Sequence, residues 1–171
     1  MLSLTAIKDL YRHMEWADAV VWTAVLASAE GKTDKNLLGY FYHLHMVQYS
    51  FLRVWRGEPR ETPFPTFAEA HELMRWGQSF YGGAFTHLGT TSDAALRELM
   101  PVPWAGMVER RLGHKPEETT AGETMLQVAL HSMYHRGQIN ARLRDLGGNP
   151  PLVDFIVWVW LGRPAAVWPP S

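Results

Sequence analysis

The sequence predicts an all-α fold: a four-helix bundle with a long crossover before the last helix and a short apolar element near the C-terminal end. Three observations carry this. Four long segments repeat apolar residues at three- and four-residue steps. Two of them open on capping-box patterns, and Gly or Pro punctuates the gaps. The 171 residues are 47% hydrophobic and 19% charged, enough apolar material for one domain, 1–171, to bury a core.

The first helix covers Leu4 to about Ser28, a stretch without Gly or Pro in which Ile7, Leu10, Met14, Ala17, Val21 and Val25 form one stripe. Gly31 to Asp34 makes a turn. The second helix runs from about Asn36 to Arg56 and stops at Gly57, Glu58 and Pro59. Glu61 to Pro65 reads as a loop, because Pro63 and Pro65 resist helix continuation. Thr66-x-x-Glu69 has the form of a capping box and opens a third helix to about His87, with Gly82-Gly83 weakening its last turns. Ser92 to Leu99 reads as a short helix, and Pro101 to Lys115 as irregular or strand-like, with a possible hairpin. Thr120-x-x-Glu123 begins the fourth long helix, which ends at Gly147-Gly148. The tail holds a short apolar element, Val153 to Leu161, and then proline-rich coil.

Composition removes several functions. Sixteen Lys and Arg against seventeen Asp and Glu leave a charge of −1, so no global field holds a phosphate backbone, and nucleic-acid binding is not expected. No cysteine is present, which excludes disulfides, thiolate metal sites and cysteine nucleophiles. Any metal must sit on His, Asp or Glu. The N-terminal stretch lacks the layout of a secretory signal, and the longest apolar run falls far short of the ~20 residues that span a bilayer. A cytoplasmic protein without membrane association is expected.

The eight histidines are the unusual residues. His131 and His135 are four residues apart on the fourth helix, about 40° apart around its axis, so both imidazoles reach one point. The alternative is two histidines on a solvated face. Thr124, Gln127, His131, His135, Gln138 and Arg142 share a stripe flanked by apolar residues, as for side chains facing a polar pocket. Arg136, Asn140 and Arg144 lie opposite and read as a wet face. On the second helix His43 and His45 point roughly 200° apart. His43 shares a stripe with Gly39, Tyr40, Val47, Ser50 and Val54 and is read as the inward one. It would be a third ligand, or a hydrogen-bonded core histidine. His13, His71, His87 and His114 have no partner at ligand spacing. Ser132 stands where His-Glu-x-x-His would need its Glu, so zinc-protease chemistry is not encoded, and neither phosphate-binding glycine loops nor Gly-x-Ser-x-Gly occur.

The segment His131-Ser-Met-Tyr-His135-Arg136-Gly137-Gln138-Ile139, followed by Leu143 and Leu146-Gly147-Gly148-Asn149-Pro150-Pro151, resembles the last-helix signature of the DinB/YfiT-like metalloproteins. His43 with Leu52 and Gly57 resembles that family's second helix, and Trp16-Ala17-Asp18 its first. Phe51 stands where many relatives have Trp. The resemblance implies up-down-down-up connectivity and one divalent metal, commonly nickel or zinc, on His43, His131 and His135. Relatives include S-transferases and isomerases that use bacillithiol, mycothiol or glutathione.

The expected function is therefore a metal-dependent enzyme, with thiol transfer to a small electrophile ahead of hydrolysis or isomerisation. Three neutral ligands leave a coordination position open. The rival is a non-enzymatic, stress-linked dimer with a structural metal. Asp18 is the expected acceptor for a ligand imidazole N–H, and Gln138 either orients a ligand or touches substrate. Arg142 either holds a substrate carboxylate or closes an ion pair; Ser50 and Tyr40 are further substrate contacts. Asp18 and Glu15 are the possible fourth ligands. A homodimer is expected from an outward Trp16 and Val20 and from the apolar tail around Phe155, Trp158 and Trp160, unless that tail caps its own bundle.

Overall fold

A computed structural model describes residues 2–59 and 61–170. It contains α1 (Leu4–Ala27), α2 (Lys35–Arg56), α3 (Ala70–Thr90), a 3-10 turn (Ala95–Arg97), α4 (Ala105–Leu112), α5 (Ala121–Asp145) and α6 (Phe155–Trp160). Among the described residues there is no strand, and the only bridge is Leu99 to Thr120.

Side-chain contacts fix the direction of each helix. Trp22 bonds His45 while the Tyr11 ring lies tilted against Trp55, so α1 and α2 are antiparallel. Gly77 faces His45 and Tyr81 faces Gln48, so α3 runs parallel to α2. Thr124 bonds Trp55 and Arg142 bonds Asp34, which sets α5 antiparallel to α2. The order is up-down-down-up, with α1 and α2 each packed on both α3 and α5.

The helix starts follow local chemistry. Ser3 accepts from the Ala6 N–H and Asp34 from the Leu37 N–H, each satisfying a donor that the helix cannot. Thr120 and Glu123 form the expected reciprocal box at α5. At α3 the box is Glu69 with Glu72, not Thr66 with Glu69. Phe64 and Phe67 lean on Trp76, and the chain turns helical only after them. Helix α3 also continues through Gly82-Gly83 to Thr90. A Cβ on Gly83 would meet Arg56 and Leu52 at 2.9 Å, so this glycine makes room for the end of α2.

The segment read as strand-like holds α4 instead. Pro101 and Pro103 precede its first turn, where a missing N–H costs nothing, and Gly113 ends it. What remains of a hairpin is the pair Met100 N–H to Thr119 and Ala121 N–H to Glu98.

The tail caps its own bundle. Helix α6 lies on α1, burying Trp158 against Trp16 and Ala17. His13 donates from Nε2 to the Val153 carbonyl at 2.8 Å, and its ring contacts Phe155 and Trp158. Trp16, expected to face outward, is therefore covered by the chain itself. Trp160 stays 76% exposed.

Candidate metal centre

Antiparallel packing of α2 on α5 puts His43 opposite the His131–His135 step. The ring centroids are 4.3 Å apart for His131 and His135, 4.6 Å for His43 and His135, and 5.3 Å for His43 and His131. One ring nitrogen from each lies within 4.8 Å of the others, and no carboxylate belongs to the group. His135 is buried; His43 and His131 are half-buried in the seam.

Their hydrogen bonding is lopsided. His135 Nδ1 donates to Gln138 Oε1 at 2.6 Å, so its proton sits there and Nε2 carries a free lone pair. The Gln138 amide N–H₂ reaches the Tyr134 hydroxyl at 3.4 Å. His131 Nε2 is buried with no hydrogen-bond partner. Burial and the neighbouring His135 and His43 push the His131 imidazole down to about 4, and burial lowers His135 as well. These two rings are thus held neutral at pH 7, the form that binds a metal. A buried polar atom without a partner is costly, and a cation among the three nitrogens removes the cost. The donor set fits one divalent ion.

Other sequence-derived assignments change place. Asp18 bonds no ligand histidine. It is fully buried and accepts from Arg136 at 2.6 Å, from the Tyr81 hydroxyl, and from Gln48 Nε2 at 3.2 Å. Glu15 accepts from Trp168 Nε1 on the α1 side, and neither acid joins the histidine cluster. Arg142 forms a two-pronged pair with Asp34, Nε to Oδ1 at 3.1 Å and a terminal nitrogen to Oδ2 at 2.7 Å. The pair ties the far end of α5 to the N-cap of α2. Ser50 donates to the Met46 carbonyl and lines a small cavity with Arg53, Phe64 and Trp104. Tyr40 is half-buried on the same helix.

His45, read as the outward partner of His43, is completely buried. Trp22 Nε1 donates to its Nε2 at 3.1 Å, so Nδ1 carries the proton and donates to Gln48 Oε1 at 2.9 Å. Gln48 continues to Asp18 and to Ser132 Oγ at 3.2 Å, and Asp18 to Arg136. Arg136 is 3% exposed, not on a wet face. This chain of bonds takes side chains from α1, α2, α3 and α5. The signal that could have found it is Gly77, whose Cβ would stand 2.2 Å from His45 Nε2: a helix-interior glycine marks a close approach.

A helical bundle with three convergent histidines in one seam belongs to the class of folds whose facing helices can hold a metal between them. The chain belongs to the DinB family, whose model matches residues 1–161. It is also 24% identical over 143 residues to "Uncharacterized protein YizA" of Bacillus subtilis (strain 168), covering 82% of this chain and 83% of that protein. No described helix is long and apolar enough to cross a membrane.

Proposed function

We propose that the chain is a metal-dependent enzyme in which His43, His131 and His135 hold one divalent ion, nickel or zinc, and which transfers a low-molecular-weight thiol to a small electrophile. Hydrolysis or isomerisation would use the same site. The observation that carries this reading is the set of three nitrogens within 4.8 Å of one another, with no carboxylate among them. A structural site is normally closed by four protein ligands, and three is the catalytic count. When bound, such an ion lowers the pKa of a thiol or water beside it and supplies a nucleophile at neutral pH, which a chain without cysteine otherwise lacks.

The chain's residues do the positioning. Gln138 holds the His135 proton at Nδ1 and fixes the ring's tautomer and angle. The Asp34–Arg142 pair ties the C-terminal end of α5 to the N-cap of α2, fixing the two helices that carry the three histidines. With Nε and one terminal nitrogen engaged, Arg142 serves mainly as that strut, and a substrate carboxylate would compete with Asp34. Tyr40 and Ser50, on the α2 stripe that carries His43, are the proposed substrate contacts.

The test is metal analysis of the purified chain, followed by visible spectra of the cobalt-substituted protein with small thiols. A thiol-dependent charge-transfer band, and metal loss in His43→Ala, His131→Ala and His135→Ala but not in His71→Ala, is expected. A tightly bound metal whose spectrum ignores every thiol and anion offered would leave a structural site instead.

A further inference from the structure

The opposite side of the bundle, where α1, the end of α3 and the tail meet, holds a cavity of about 530 Å³. That volume lies within the ~300–1,000 Å³ range of small-molecule sites. Its walls divide by chemistry. The half-buried Phe85 of α3 supplies the accessible apolar surface, over Leu88 and Trp158, which are buried beneath it, while Lys8 and Arg12 from α1 and Arg163 from the tail bring three cations against one acid, Glu15. Arg12 is paired with Asp9, but no carboxylate pairs with Lys8 or Arg163 among the described residues. Glu15 accepts from Trp168 Nε1 and forms no ion pair with these cations.

Arg163 carries the second observation. It is the only described non-glycine residue with positive φ, at 57°, directly after Gly162 at 83°. A side chain in that region carries a steric cost that glycine avoids. The surrounding bonds enforce it. The Arg163 N–H donates to the Trp158 carbonyl at 2.9 Å, and Trp158 Nε1 donates to the Pro164 carbonyl at 3.0 Å. The loop is therefore stapled to the wall of the cavity, with a guanidinium where local energetics favour no side chain at all. The Arg163 N–H to Trp158 bond and the Gly162 N–H to Val159 bond cap the C-terminus of α6, and this cap sets the guanidinium over the buried Trp158 ring, 6.0 Å from its centroid, at the cavity rim with no carboxylate paired to it.

We infer that this cavity binds a small organic anion with a flat apolar body, an aryl carboxylate, its ring on Phe85 and its carboxylate between Lys8 and Arg163. The site is separate from the histidine seam, which lies between α2 and α5, and its existence does not rest on the metal reading.

Calorimetric titration of the full chain with 1-naphthaleneacetate, before and after chelation, tests it. Saturable binding at one site is expected, unchanged by chelation and in His131→Ala. Lys8→Gln and Arg163→Gly should each weaken it roughly tenfold, the loss of one charge-assisted hydrogen bond, and the neutral 1-naphthaleneacetamide should bind weaker by at least that factor. Arg163→Gly should also hold or raise Tm, because glycine adopts the same φ freely, so its loss of binding cannot come from unfolding. Four results would overturn the inference: no saturable binding, equal binding of the amide, full binding in the folded Lys8→Gln and Arg163→Gly variants, or binding abolished by chelation, which would put the carboxylate on the metal.

Discussion

Two histidine clusters lie two residues apart on α2 and differ in almost every physical respect. Around His45 each polar group has a partner: Trp22 and Gln48 satisfy the ring, and Asp18 takes Arg136, Tyr81 and Gln48. Around His43 the nitrogens converge, and His131 Nε2 meets nothing. The first cluster is fully buried and fully bonded; the second is largely half-buried, and its ring nitrogens are less bonded. Satisfaction, more than residue type or burial, separates a histidine that holds a bundle together from one placed to hold a ligand. A buried network drawing on four helices also sets their register, since a slide of one helix against another would leave a charge unpaired.

The sharpest way to break the first cluster is to remove one charge. Asp18→Asn or Arg136→Met should each cost roughly 3–5 kcal/mol, because the partner stays buried and uncompensated. Urea unfolding would read this as a lower midpoint, and the double replacement by apolar residues should recover much of the loss. A midpoint within experimental error of wild type would mean that water reaches the pair.

Metal separates the clusters next. With free divalent ion at about a hundred times its dissociation constant, binding to the folded state adds roughly 2.7 kcal/mol. Chelation should therefore lower Tm in wild type and leave His131→Ala unmoved. In the metal-free state His131→Ala should be no less stable than wild type, since it removes a buried atom without a partner. A fall of the metal-free variant's Tm would show that His131 has a structural partner after all.

Gly77→Ala tests the fit beneath His45. Alanine favours the helix by about 1 kcal/mol, yet its Cβ would stand 2.2 Å from His45 Nε2. Overpacking of this kind costs roughly 1–3 kcal/mol, so net destabilisation is expected, with metal content unchanged. A more stable variant would mean that the imidazole can leave its place freely.

The last test is on pH. The His131 imidazole is held near 4 in the folded chain against the ordinary 6.5, so the unfolded state binds its proton first as pH falls. The stability of metal-free wild type relative to metal-free His131→Ala should be constant above pH 6.5. It should decline between 6.5 and about 4, then level off. A flat difference across that window would place the ring in water.

The four long helices, the stop of α2 at Gly57 and the cap of α5 were readable because they depend on neighbours three or four residues away: a stripe at 3.6 spacing, a glycine after the last turn, a Thr with a Glu three places on. So was the His131–His135 clamp, which one helix builds by itself. Family resemblance in the last helix then supplied the connectivity that periodicity leaves open. Helix α4 and the true start of α3 were missed, because Pro and Gly near a helix end look the same locally as Pro and Gly in a loop.

What only the tertiary structure decided is which face of each helix meets which neighbour. Projection on α2 separates His43 from His45 by an angle but has no information about what covers either direction, and in a bundle a helix has both a core face and a seam. Here α3 offers His45 a bare glycine, and α5 offers His43 two more imidazoles. Arg136 looked solvated because a cation alone belongs in water; its acceptor, Asp18, lies 118 residues away. Trp16 looked free because its cover, Trp158, comes from the tail. Local pattern fixes periodicity and caps through short-range sterics and hydrogen bonds, while burial of a charge or an aromatic ring depends on partners that only folding brings within reach.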